Sequence, residues 1–161
     1  MPATVSNPRD LLLQLLGDLL YVERRLAGGV LLELADSVSD ERLRDELEHH
    51  LVQTKEHVER CEAAFRMLDA SPTANAVDSF ESALRQHEAT ASSIVDTRLA
   101  DVFHAQAALR TEHLELALYE AVLALGFDEL SGLRASQSDE DDARRTLEGE
   151  GRRLLEEARA R

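Results

Sequence analysis

Tryptophan is absent from this 161-residue chain, cysteine and lysine occur once each, and proline only three times. One thiol, Cys61, allows no intrachain disulfide and suits a reducing compartment, so a cytoplasmic protein is expected. Few prolines, 4% aromatic residues and an apolar fraction of 43% carried mainly by leucine and alanine favour an all-α protein. Long apolar runs are missing too. The greasiest stretch, Leu11 to Leu20, is interrupted by Gln14, Gly17 and Asp18 and is too short to span a bilayer. The start, Met1 to Pro8, lacks the basic and apolar regions of a secretory signal. Bases are scarce: 18 against 32 acids, a net charge of −14, which argues against nucleic-acid or anionic-membrane partners. A solvated acidic surface is explanation enough for that excess. No glycine-rich phosphate loop, Cys-x-x-Cys pair or Gly-x-Ser-x-Gly elbow occurs.

What is present is helical periodicity over a length suited to one domain, residues 1–161. Asn7 before Pro8 is a helix start, and the first helix is expected over about 8–36, with Leu12, Leu16, Leu19, Leu26 and Val30 on one face. Gly28-Gly29 weakens it, and close helix–helix contact is one reason to keep two small residues there. A second helix follows over about 40–69, with Leu43, Leu47, Cys61, Ala64 and Leu68 inward. Residues 70–76 form a loop. Asp78 and Glu81 fit a capping box that opens a shorter third helix over 78–95. A fourth is expected over 97–125, ended by Gly126, and a fifth over 128–158, kinked or late-starting near Gly132. Two long antiparallel hairpins joined by a crossover with a short helix make a ferritin-like four-helix bundle.

Polar residues interrupt the apolar stripes at matching heights. Glu23 and Gln53 each lie 15 residues from Val38, and Glu112 and Glu140 each lie 14 from Gly126. At ~1.5 Å per residue, each pair stands roughly 21–22 Å from its turn, so the four can converge inside the bundle. Glu23, between Leu19 and Leu26, points inward, where a lone carboxylate must be protonated, paired or metal-bound; an arginine at the stripe's edge is the plainer partner. His50, Thr54 and His57 continue the second helix's stripe, beside Gln53. Of these, His57 is the ligand candidate. His50 reads as a hydrogen-bonded core residue, Thr54 as a helix-bonded hydroxyl, and His49 as exposed. On the fourth helix Glu112, between Leu109 and Leu116, is the leading site candidate; His113 flanks it as a supporting partner or as packing, and Glu115 falls at the rim. Glu140 lies seven residues from both Leu133 and Leu147, on the inner stripe or on the solvated acidic run Asp139–Asp142. His87 and His104 are isolated and read as structural.

Taken together, these residues resemble the ferritin-like YciE/YciF family from about Leu11 to Leu155. The likeness runs through Asp18 and Glu23 in Gly-Asp-Leu-Leu-Tyr-Val-Glu-Arg-Arg-Leu, His50-Leu51 with Thr54, Glu59-Arg60, Glu81, Asp101, Glu112-His113 with Glu115 and Tyr119, and the stretch around Glu140. The resemblance implies a four-helix bundle with an extra short helix, usually a homodimer. It also implies a di-metal (iron) carboxylate centre, a ferroxidase label and a link to stress responses. The chain departs from the family pattern at Leu20, Val52 and Gln53, and at Arg144, where the family carries an aspartate. A neutral amide is a weaker ligand than a carboxylate, and a cation one turn from Glu140 repels a metal.

The expected metal ligands are therefore Glu23, His57, Glu112 and Glu140, holding iron or manganese. Three acids and one histidine fall short of the six-ligand set that the resemblance implies, which leaves a di-metal centre, a single-metal site or none. Gln53, His50, Thr54, His113 and Arg144 stand around them. Oxidation of Fe(II) by dioxygen or peroxide is the expected activity. The alternative is a metal-free interaction bundle in which Arg144 replaces the metal by a buried salt bridge to Glu140, Glu112 or Glu23.

Overall fold

The computed structural model describes residues 4–160; the extreme ends, including the first three residues of the leader reading, lie outside it. Asn7 accepts a hydrogen bond from the Asp10 amide at 2.9 Å and Pro8 fills the first turn, which starts α1, Pro8–Arg25. The rod then passes through a π turn, Leu26–Val30, into α2, Leu31–Ser37. Gly29 leaves helical conformation there (φ 160°, ψ −34°). A Cβ at Gly28 would meet nothing within 4 Å, so the glycine pair relates to the kink and not to close helix packing.

The return rod, α3, is Glu41–Met67. Its N-terminus is capped by the Asp40 side chain, bonded to the Leu43 amide, and is tied across the bundle to Asp101, which accepts from the Ser39 and Asp40 amides at 2.8 and 3.0 Å. The crossover holds α4, Asp78–Ala91, shorter at its C-terminal end than the periodicity predicts. It leads into α5, Thr97–Leu123, capped by Asp96. Gly126 adopts φ 74° beyond the end of α5, the left-handed conformation that closes a helix. A short turn, Asp128–Leu130, precedes α6, Leu133–Arg159, the late start expected near Gly132.

The kinked first rod packs on α3, α3 on α6, α6 on α5, and α5 back on α1, closing an all-helical ferritin-like bundle. Leucines dominate both ends of its core, with Leu12, Leu16, Phe65 and Leu130 at one end and Leu26, Leu43, Leu47 and Phe80 at the other. The polar residues described below lie between these two apolar plugs.

Several motif residues anchor the crossover. Asp18 accepts from Gln14 and Asn75, and the Asn75 amide bonds to the Gly17 carbonyl at 3.0 Å. Glu81 receives the Tyr21 hydroxyl at 2.8 Å and the Arg25 guanidinium at 2.6 Å, pinning α4 to α1. Gly17 has no room for a side chain: a Cβ would overlap the Asn75 amide group and come 2.9 Å from the Thr73 carbonyl oxygen, which is backbone. Gly17→Ala should therefore destabilise the fold by about 1–3 kcal/mol despite alanine's better helix propensity. A urea midpoint equal to or above that of the parent would contradict this.

Candidate metal centre

Six buried side chains on four rods converge at mid-bundle: Glu23 from α1, His50 and His57 from α3, Glu112 and Glu115 from α5, and Glu140 from α6. None is more than 1% exposed. They form two groups that share Glu140. One is His50, Glu112, Glu115 and Glu140, the other Glu23, His57 and Glu140, and within each a ligand atom from every residue lies within 4.8 Å of the rest.

The distances define how the groups interlock. His57 Nδ1 is 2.7 Å from Glu140 Oε1 and 3.5 Å from Glu23 Oε1. His50 Nε2 is 3.3 Å from Glu112 Oε1 and 3.6 Å from Glu140 Oε2. None of these contacts has the geometry of a hydrogen bond. Among the described residues, nine buried side-chain polar atoms lack any hydrogen-bond partner, and all nine belong to these six residues. Native interiors rarely leave such atoms unmet, and a cluster of them fits a site for an ion or water. No arginine or lysine among the described residues pairs with the four carboxylates; Glu23, Glu112 and Glu140 approach the two histidines, and both oxygens of Glu115 are unpartnered.

Neighbouring groups hold the cluster in place. The Tyr119 hydroxyl donates to Glu23 Oε1 at 2.5 Å and leaves Oε2 free. His57 Nε2 lies 3.2 Å from Asp139 Oδ2, and that carboxylate is fixed by Arg60 at 3.1 Å. A ring held by a carboxylate through one nitrogen presents the other inward, the arrangement that orients imidazole ligands. Thr54 turns its hydroxyl to the His50 carbonyl at 2.9 Å. Gln53 is half-buried on the flank of α3.

Burial pushes the carboxyls of Glu23, Glu112 and Glu115 up, helped in each case by the neighbouring carboxylates. Burial acts the same way on Glu140, but His57, Glu112 and His50 together outweigh it and hold Glu140 below the usual range. His57 is depressed by burial yet carried up to about 10 by Glu140 and Glu23, whereas burial leaves His50 lowered. Three carboxyls and one imidazole thus bind protons more tightly folded than unfolded. Their contribution to stability is whole below the ordinary values of 4.5 and 6.5 and is lost as pH rises, for His57 through about 10. Glu140 acts oppositely, losing its contribution on acidification. His50, His87 and His104, lowered by burial, add stability as pH rises toward 6.5. The urea midpoint of metal-free protein should therefore fall from pH 7.5 to 9.5; a midpoint that climbs over this interval would contradict the assignment. A bound cation displaces those protons and reverses the trend.

The structure departs from the sequence expectations at four residues. Glu115 is not at the rim but fully buried, because the inner stripe of α5 runs Ala105, Ala108, Glu112, Glu115, Tyr119 and Val122, one position off the Leu109–Leu116 line. His50 lies in the cluster itself and not merely behind it. His113, the neighbour of Glu112, is exposed, since adjacent helix residues point about 100° apart. Arg144 turns away from the core: its guanidinium meets Asp141 at 2.9 Å and Glu148 at 3.3 Å. The sequence reading also missed Asp139 as the carboxylate that holds His57; its place beside Glu140 in an acidic run concealed it.

A ferritin-like helical bundle with a buried carboxylate–histidine cluster able to hold metal is thus the class defined by fold and site. The chain belongs to the DUF892 family, a domain of unknown function whose pattern matches residues 7–157. It is similar in structure to YcfI from Rhodopseudomonas palustris, with a TM-score of 0.87 and 24% identity over 92% of this chain and 97% of that one. It is equally similar to the E. coli stress protein YciF, with a TM-score of 0.87 and 20% identity over 94% of this chain and 99% of that one. No curated protein matches the sequence significantly. No helix among the described residues is long and apolar enough to cross a membrane.

Proposed function

We propose that this chain is a two-metal carboxylate protein that binds iron or manganese and oxidises Fe(II) with dioxygen or peroxide. The observation that carries the reading is the set of nine unpartnered donor atoms, confined to four glutamates and two histidines. Four carboxylates with two imidazoles is the donor set of di-iron and di-manganese bundles, and mixed oxygen and nitrogen donors suit those metals. Glu112, Glu115 and His50 would serve one position, Glu23 and His57 the other, and Glu140, common to both groups, would bridge them.

Bound there, a redox-active metal supplies the electrons that reduce the oxidant. The chain's own residues do the rest. Glu140 balances charge between the two positions, and Tyr119 fixes the rotamer of Glu23 through its hydroxyl. Asp139 accepts the Nε2 proton of His57, which frees Nδ1 to bind once its proton has left. The leucine plugs above and below keep bulk water from the carboxylates.

The metal-free alternative needs Arg144 as counter-ion, and Arg144 is bound by Asp141 and Glu148 instead. A homodimeric working unit, one domain per chain and a cytoplasmic setting rest on the family resemblance and the sequence reading. A part in stress physiology is supported by the structural likeness to YciF. The direct test is anaerobic Fe(II) titration of metal-free protein. About two ions per chain are expected, and a stoichiometry below about 0.2 would end the proposal.

A further inference from the structure

The two histidines that look isolated in the sequence are neighbours in space. His87 on α4 and His104 on α5 bring Nε2 and Nδ1 within 3.0 Å. His87 stacks flat on Phe103, with ring centroids 5.2 Å apart and planes 10° off parallel, so its ring is held in place. Both imidazoles line a cleft of about 750 Å³ between α4, the kinked first rod and α5. Glu112 of the metal centre lines the same cleft. His104 and Glu112 are eight residues apart on α5, roughly 12 Å at helical rise.

We propose that His87 and His104 form a second transition-metal site, a two-imidazole station that takes divalent cations from the cleft and passes them to the centre at Glu112. Ligand nitrogens at about 2.0–2.1 Å from one ion stand roughly 2.9–3.4 Å apart for angles between a right angle and the tetrahedral value. The pair already has that spacing, so seating an ion requires the proton between the two nitrogens to move to the far nitrogen of its own ring and the rings to tilt, while the helices stay. Burial depresses both histidines, helped at His87 by His104 and Arg110, which disfavours the imidazolium form that cannot bind a metal. Among the described residues no carboxylate or thiol completes a three-residue group with them. Asp101, one turn before His104, is occupied by the Ser39 and Asp40 amides. Two protein donors with the remaining positions open to water hold an ion weakly enough to release it, as a transfer station must. The cleft's lining carries Glu33, Glu81, Glu88 and Glu112 against Arg25, Arg85 and Arg110, so the two imidazoles and not the local charge would hold the ion.

The transfer role rests on the proposed centre, whereas the site itself does not, and two measurements separate them. The first uses Cu²⁺, the strongest first-row probe for imidazole. Added to a Glu112→Gln/Glu140→Gln double variant, it should bind at one ion per chain with an EPR spectrum of two nitrogen donors. His87→Ala should weaken that binding at least tenfold. His104→Gln, which keeps a hydrogen-bonding group against α4, should do the same. Equal copper affinity in these variants, with circular dichroism unchanged, overturns the site and leaves the pair a hydrogen bond only. The second is stopped-flow anaerobic Fe²⁺ loading of the otherwise unaltered chain. His87→Ala should slow it at least threefold while the final stoichiometry stays the same; an equal rate overturns the transfer role. Should the parent take up no iron, the centre and the transfer role fall together, and the copper spectrum alone decides the station.

Discussion

Metal-free protein supplied with Fe(II) under anaerobic conditions should melt roughly 5–15 °C higher than the same protein held with chelator. A ligand that binds only the folded state stabilises it by about 2.7 kcal/mol at a hundredfold excess over Kd and about 4.1 kcal/mol at a thousandfold. A domain of this size gains roughly 2–4 °C per kcal/mol. The gain arises here because the metal relieves what the fold otherwise tolerates: four carboxylates away from water with two imidazoles and one tyrosine hydroxyl beside them. Mn(II) should raise the melting point in the same direction, and Mg(II) by less, since it prefers to keep its water. Scanning calorimetry checks the result. Coincident melting curves with and without metal would remove the basis for a centre.

Glu115→Leu should part stability from metal binding. Both Glu115 oxygens are buried and unpartnered, so the metal-free fold tolerates that carboxyl and gains nothing from it. A leucine of similar reach removes the desolvation cost and adds apolar contact, and metal-free protein should gain about 1–3 kcal/mol, or roughly 3–10 °C. The same change deletes a donor, so the metal-dependent rise should shrink by more than half. A purely structural glutamate predicts the reverse, with the variant less stable in both states. The paired melting curves therefore discriminate whichever way the absolute values fall.

The bundle was legible because its signals are local. The Asn7-Pro8 cap, Gly126, the capping acids and the leucine stripes each announce an element within a few residues. The kink at Gly28-Gly29 was visible only as a weakness, and its cause was misread, because sequence alone cannot tell a small residue kept for packing from one kept for bending. The cluster was partly legible. Glu23, Glu112 and Glu140 fall on leucine-flanked stripes, so their inward aim follows from spacing. Glu115 did not, because the inner face of α5 is made of alanines and acids while its larger leucines, Leu109 and Leu116, sit half-buried on the flank. A stripe drawn through the bulkiest residues is then one position off. His50 and His57 lie two turns apart on α3, and only the shared carboxylate of Glu140 makes them parts of one assembly. That relation depends on how α6 is rotated against α3, which no single helix encodes.

Arg144 also bears on how such centres change by substitution. Its guanidinium is fenced by Asp141 on one side and Glu148 on the other, so its charge is met on the flank of α6 and not at Glu140. Joint loss of Asp141 and Glu148 would free a cation one turn from Glu140, making two outward-facing acids guardians of a cluster they never touch.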